Sequence, residues 1–472
     1  MKSPESSGPT ALPQAVSPGS TPAVDSAPTL NSVPSAGRAS SLEGAQAARR
    51  AWTVAALTLL ALVAGAAFRS TTGALLEPLE SEFGWTRSAT SGAVAANLVV
   101  YGLTAPFAAA AMERFGVKRV VAGGLLLTAA GSALTTVMSE LWQLWILWGA
   151  FIGAGTGVMA LVFGSIVANR WFAARRGLVM GLFSGANACG QLIFLPLIVH
   201  LAHSPGWRAA ALAVAFVAAL AVPLWLLGFA DRPQDLGLRP YGENPDDPQP
   251  DPVPSPVPAW KLAVVVLREA ACRRVFWILA FTFFVCGWST NGLVQTHFIP
   301  AAHDHGMPAT TAAGLLAIIG VFDIAGTVLS GWLTDRFDPA LLLVAYYGLR
   351  GLSLLFINTM LAPAIEPPLW IFIVFYGLDW VATVPPTVAL CREHFGIQRA
   401  GIVFGWVFAA HMVGAGIAST AAGWIRESTG SYALAWMSAA VLCGVAALSL
   451  CVIRSPGRRL PPGRPPGDAA GT

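Results

Sequence analysis

Apolar residues along this chain gather into long unbroken runs instead of alternating with polar ones. Twelve runs stand out. Six lie at 52–76, 88–111, 118–139, 141–168, 177–200 and 207–230, and six more at 275–299, 310–333, 340–362, 367–391, 399–423 and 431–453. Each reaches roughly the 20 residues a helix needs to cross the hydrocarbon core of a bilayer, far more than a buried strand would use. The pattern predicts an all-α membrane protein with twelve transmembrane helices. Residues 1–48 are rich in Ser, Pro, Ala and Gly and read as a disordered tail. The first apolar run starts too late and is too long for a signal peptide. Residues 231–273, proline- and aspartate-rich at their centre, read as a linker, and 454–472 as a short tail. The remaining segments, 49–230 and 274–453, read as two six-helix bundles.

Composition narrows the classes. Only 11% of the 472 residues are charged, against about 25% in soluble domains. The formal net charge of +4 is too small to imply a nucleic-acid partner. None of the three lysines lies in a phosphate-binding loop, so ATP is not expected as a partner. No zinc-protease or serine-hydrolase motif occurs, and the six cysteines show no metal-ligand spacing. The reading is therefore not an enzyme, with no cofactor and no metal. The triplet Gly153-x-Gly155-x-Gly157 lies inside an apolar run with no preceding strand, so it predicts close helix packing and not a dinucleotide loop.

The location of the basic residues orients the chain. With both termini on the inner side, 23 of the 28 Lys and Arg fall in inner segments. The outer loops hold Arg87, Arg208 and Arg426, and the spans hold Arg69 and Arg350. That asymmetry is what the positive-inside rule requires, and it places a multi-pass protein in the cell (inner) membrane with cytoplasmic termini.

The two halves repeat. At an offset of 222, Glu113-Arg114-Phe115 meets Asp335-Arg336-Phe337, Pro78 meets Pro300, and Gly84 meets Gly306. At 224, Arg175 meets Arg399, Gly181 meets Gly405, and Gly190 meets Gly414. Parallel six-helix repeats are a known transporter architecture with the substrate site at mid-membrane between them.

The acid-Arg-Phe loop after run 2 and Gly331-x-x-x-Asp335-Arg336 after run 8 resemble the cytoplasmic loop motif of the major facilitator superfamily. The first copy departs from it at Ala109, where the family has Gly, and at Glu113, where it has Asp. Trp171-Phe172-x-x-Arg175-Arg176-x-Leu178-x-x-Gly181-x-x-x-Gly185 and Phe83-Gly84-Trp85-x-Arg87-Ser88 are similar to the monocarboxylate and oxalate/formate porter branch. That branch's acidic-Gly-Gly signature before the first span is missing. The resemblance covers about 52–453. It implies a major facilitator fold, and it implies that Glu113, Arg114, Arg175, Arg176, Asp335 and Arg336 act as gating residues, through ion pairs and helix-end contacts made in one state and broken in the other.

Charges inside the hydrocarbon core are costly and mark function. Four lie deep in runs: Arg69, Asp323, Arg350 and Asp379. Arg69 is the expected anion anchor, because a guanidinium offers a fork that matches a carboxylate and stays charged. The branch has a basic residue followed by Ser at this place, and Arg69-Ser70 resembles that pair. Asp323 matches an acid the branch carries in span 8, but Thr327 stands where the branch has Arg. Asp323 is thus a proton-coupling candidate that could instead pair with Arg69. Arg350 and Asp379 read as a structural ion pair within the second half, with Asp379 also on a polar stripe of run 10 that includes Tyr376 and Thr383. The repeat maps Arg69 to Asn291, Tyr101 to Asp323 and Asn187 to His411, with Gln295 one turn beyond Asn291. These complete the expected substrate-binding set, and His411 is a second proton candidate. Pro385-Pro386 predicts a bend in run 10.

The expected function is secondary active transport of small organic anions, monocarboxylates or dicarboxylates, by alternating access, with proton symport or anion exchange. The expected partners are that anion, protons and the lipid bilayer, and the expected state is a monomer. The rival reading is an exporter of another small solute or drug on the same fold. A non-transporting membrane sensor is the remote one.

Overall fold

The computed structural model describes residues 36–203, 206–244 and 258–453, except for the side chains at 36–43, 67, 69–74, 76–77, 87–88, 91, 187–193, 195–196, 199, 203 and 309–310. Twelve long helices carry the twelve apolar runs: α1 (Ala36–Phe83), α2 (Arg87–Phe115), α3 (Val117–Thr135), α4 (Leu141–Trp171), α5 (Arg176–His203), α6 (Trp207–Gly228), α7 (Arg274–Asp304), α8 (Ala309–Thr334), α9 (Pro339–Met360), α10 (Pro367–Phe395), α11 (Ile397–Thr429) and α12 (Ala433–Leu450). Eleven are long and apolar enough to cross a membrane over their described residues, and α5, 28 residues long, is the other.

Two boundaries differ from the expectation. The tail read as 1–48 ends in helix, because α1 begins at Ala36, just past the last tail proline, Pro34. The Ala, Glu, Gln and Arg that follow are strong helix formers. At 48 residues α1 has more than twice the roughly 20 that a bilayer crossing uses, so it outlasts its apolar stretch. The linker read as 231–273 contains a helix, Ala259–Ala271, which starts once the prolines end at Pro258 and packs on α2 and α11.

The bilayer explains the surface. Leu227, Phe216, Val441 and Leu448 are strongly exposed, as lipid-facing side chains are, while polar groups in the spans turn inward. Apolar attraction gives helices no reason to associate in lipid, so small residues must let backbones close up. In α4, Gly153 faces the backbone of Asn97 in α2, Gly155 faces Gly124 and Thr128 in α3, and Gly157 faces Tyr101 and Thr104 in α2. A methyl at Gly157 would lie 2.8 Å from the Tyr101 carbonyl. The Gly-x-Gly-x-Gly run is thus a packing seam.

The repeat is visible in the turns. Gly84 ends the link from α1 with φ 69°, and its mate Gly306 sits between α7 and α8 with φ 84°. Both need the left-handed freedom that glycine supplies. Around the seams between halves, α5 packs on α8 and α11 packs on α2.

Candidate functional site

The buried polar centre of the second half forms around a break in α10. Proline lacks an N–H and collides with the carbonyl four residues back. Pro385 and Pro386 therefore interrupt the helix over Trp380–Thr383, which is turn and not helix. The freed backbone groups find partners on α8 and α9. Arg350, fully buried, donates from Nε to Asp379 Oδ2 at 2.6 Å and from one terminal nitrogen to the carbonyls of Asp379 and Trp380, the latter at 3.1 Å. Asp323 Oδ1 accepts from the Val381 N–H at 3.0 Å and from Thr327 Oγ1 at 2.9 Å. Ser330 Oγ donates to the Ala382 carbonyl at 2.5 Å. The broken segment is thus held by three side chains, two of them charged.

The centre extends onto α7. The other Arg350 terminal nitrogen points at Cys286 Sγ (3.3 Å) and Ser289 Oγ (3.4 Å), and the Tyr376 hydroxyl donates to the Ser289 carbonyl at 2.8 Å. Cys286 Sγ also lies 3.3 Å from Thr383 Oγ1. Buried polar atoms of this region without a hydrogen-bond partner among the described residues include Asp379 Oδ1 and His411 Nδ1. His411 stacks on Phe408, with ring planes 5° apart, and tilts against Phe283.

The other expected binding residues are dispersed. Tyr101 is buried on α2 and meets Phe408 edge-on across the seam at 5.7 Å. Asn291 is half-buried in a π-helical turn of α7, Trp288–Val294, and its carbonyl accepts from Thr296 Oγ1 at 2.8 Å. Gln295, one turn on, is exposed. The side chains of Arg69 and Asn187 lie outside the described residues. Asp323 is engaged with Thr327 and the α10 backbone, a use the sequence did not suggest.

On the face that carries the basic loops, the halves meet tightly. Asp335, at the end of α8, accepts the N–H groups of Gly177 (2.7 Å) and Leu178 (2.9 Å), the free donors of the first turn of α5. Gly177 sits directly against Gly331 of α8, and Gly181 against Thr327. A methyl at Gly181 would stand 2.6 Å from the Thr327 carbonyl, whereas one at Gly185 would have its nearest neighbour at 3.6 Å. α5 and α8 therefore touch at the basic face and separate away from it. The repeat mate of Gly181, Gly405, makes the equivalent contact on the other seam, with its added methyl 2.6 Å from Pro106 Cα in α2. Both seams are closed at the basic face.

Among the gating residues, Asp335 makes the helix-end contact just described. Glu113 forms its ion pair with Arg170 at the end of α4, at 2.9 Å. Arg114 and Arg336 are exposed and lie over Phe115 (5.5 Å) and Trp332 (3.9 Å). Neighbours in sequence at a helix end point apart, so an adjacent acid and arginine rarely meet each other. Arg175 is exposed with φ 58°, turning the chain into α5, and Arg176 Nε donates to the Phe172 carbonyl. Sequence reasoning missed Arg170, Ser330 and Cys286. Ser330 and Cys286 carry no charge and read as ordinary small residues. Arg170 follows an apolar run and reads in the sequence only as one more basic residue of an inner segment.

The comparisons agree with this architecture. A family model described as Major Facilitator Superfamily matches residues 57–418 and, separately, 299–470. An uncharacterized MFS-type transporter, YcxA, of Bacillus subtilis (strain 168) is 24% identical over 404 residues, covering 85% of this chain and 94% of its own. Monocarboxylate transporter 13 of Bos taurus is 27% identical over 349 residues, covering 73% and 75%. Among solved structures, the human organic anion transporter MFSD10 (TETRAN) superposes with a TM-score of 0.65 at 14% identity, over 85% of this chain and 99% of that one. The E. coli fucose:proton symporter FucP gives 0.62 at 17%, over 84% and 97%. With twelve helices in two repeats that close on each other along α5/α8 and α2/α11, the chain belongs to the major facilitator superfamily of membrane transporters and resembles its monocarboxylate branch.

Proposed function

We propose that this transporter carries small organic anions, monocarboxylates or dicarboxylates, by alternating access, coupled to protons or to exchange of a second anion. The observation that carries the reading is Arg69. It is a permanently charged fork on the first span, in a chain whose curated relatives include monocarboxylate transporters over about three quarters of its length. The inner ends of the halves, sealed at α5/α8 and α2/α11, are one of the two states such a cycle needs. The orientation with both termini cytoplasmic rests on the basic loops, and a place in the cell membrane and a monomeric state belong to the same proposal.

Two variants separate anchor from coupling. Uptake of labelled lactate, pyruvate, oxalate and formate into vesicles is measured for the natural chain and for Arg69→Gln. Loss of uptake in the variant is expected, and unchanged uptake removes the anchor role. Asp323→Asn keeps an Oδ1 that can accept from Val381 and Thr327, so the α10 break is preserved while the titratable group is gone. It is expected to retain solute exchange and to lose accumulation driven by a pH gradient. Undiminished pH-driven accumulation assigns coupling elsewhere, with His411 next to be tested.

A further inference from the structure

The linker helix, Ala259–Ala271, has one apolar face, which the protein interior uses, and an opposite face that mixes basic and apolar side chains. Ala263, Val266 and Ala270, three and four residues apart, are buried against α2 and α11. The Ala263 carbonyl accepts the indole N–H of Trp406 at 3.0 Å, Glu269 pairs with Arg399, and the Trp406 ring meets Phe107 of α2 at 5.7 Å. The helix is therefore fastened across the α2/α11 seam, to one helix from each half.

The opposite face points away from the protein. Trp260 is 61% exposed, and Val264 and Val265 are 36% and 41% exposed. Lys261 and Arg268 lie beside them, also exposed, with the Lys261 ammonium 5.3 Å from the Trp260 ring centroid. The helix's own acid, Glu269, is neutralised by Arg399, so the outward charge is positive. The level of this face is set by α7, which follows at Arg274. Exposed Trp277, in the first turn of α7, donates its indole N–H to the Ala271 carbonyl at 2.8 Å, and tryptophans of this kind mark the edge of the hydrocarbon. A short helix whose outward face sets a lysine and an arginine among Trp260, Val264 and Val265, at that level, has the composition of one that meets the charged headgroup layer.

We infer that the linker helix docks on an anionic phospholipid surface, and that this docking favours the arrangement in which the basic face is sealed. The lever is the seam. The helix touches both α2 and α11 only while their inner ends are together, so a surface that holds the helix there stabilises that arrangement by linkage. The inference is independent of which solute is carried, and it stands or falls apart from the transport proposal.

The test reconstitutes the full chain in vesicles of phosphatidylcholine alone and in an equal mixture with phosphatidylglycerol. Amide hydrogen exchange is followed at 259–271 and at Gly177 and Leu178, whose N–H groups bond Asp335. In the anionic vesicles both regions are expected to exchange more slowly. The effect should weaken by about fivefold for each basic residue neutralised, in Lys261→Gln and Arg268→Gln, and fade as salt is raised. Trp260→Ala is expected to reduce it without touching charge. All three side chains are exposed, and unchanged exchange in the α3 core certifies an intact fold. Equal exchange in both vesicles overturns the docking, as does slowing that survives the double variant. Slowing at 259–271 with none at Gly177 and Leu178 overturns the link to the seal. If inorganic phosphate added to phosphatidylcholine vesicles reproduces the effect, the site binds small anions and not a membrane surface, and the inference fails.

Discussion

Replacing Arg350 separates two explanations of the charge pair in the second half. One holds that Arg350 and Asp379 only neutralise each other. The other holds that the guanidinium also supports the carbonyls freed by the α10 break. Arg350→Leu leaves Asp379 as a buried carboxylate, 6% exposed, whose Oδ1 already lacks a hydrogen-bond partner among the described residues. Breaking a buried pair in this way costs about 3–5 kcal/mol. The double variant Arg350→Leu/Asp379→Leu removes both charges. It still leaves the backbone carbonyls of residues 379 and 380 without the donors that Arg350 supplies. Each carbonyl left unsatisfied costs about 1–3 kcal/mol, so the double variant is expected to remain about 2–6 kcal/mol below the natural chain. Unfolding free energies of the full chain in bicelles, measured for both singles and the double, give the comparison. Recovery of the double to within about 1 kcal/mol of the natural chain refutes the carbonyl-support argument and leaves simple neutralisation.

Three further outcomes follow from the closed seams and the far face. Asp335→Ala removes the acceptor for Gly177 and Leu178, and accessibility of a cysteine placed at Asn169 from the basic side is expected to rise about tenfold, since hydrogen bonds to a charged group contribute about 1.5–3 kcal/mol; unchanged labelling argues that glycine packing alone keeps the seam shut. Gly331→Ala is expected to drive the seam open, because the added methyl meets the Gly177 backbone, which cannot rotate away as a side chain can; a thermal-stability and labelling profile like the natural chain's would contradict the close approach. On the opposite face, beyond the apolar part of α1, hydrogen bonds from Arg208 and Trp207 hold the Glu82 carboxyl below its ordinary value of 4.5. A depressed carboxyl stabilises the folded state above its unfolded pKa and loses that contribution as pH falls through the folded value. Glu82→Gln is therefore expected to lower stability slightly at pH 7, to change it little in strong acid, and so to flatten the acid limb of the stability–pH curve below about pH 4.5; an unaltered acid limb would show that the pair does not matter.

Sequence alone determined the number of spans, their order, the face that carries the basic loops and the repeat, since each depends on composition over many residues. A run of apolar residues must cross a bilayer whatever its neighbours do. The glycines of α4, the bend at Pro385-Pro386 and the four intramembrane charges were legible for the same reason. Each is a local departure from an otherwise uniform apolar background.

Partners were decided only by the tertiary structure, because a pairing depends on rotation about helix axes and on which helices become neighbours. Glu113 chose Arg170 over the adjacent Arg114, Asp335 chose two backbone amides across the seam, and Asp323 chose the broken α10. Ser330 and Cys286 entered the polar centre without any charge to announce them. The linker helix shows the same division. Its apolar spacing is written at 263, 266 and 270, yet that it fastens α2 to α11 and leaves Trp260 facing outward is a fact of packing. Composition sets how much polar and apolar surface must be buried, and the fold sets which groups bury it together.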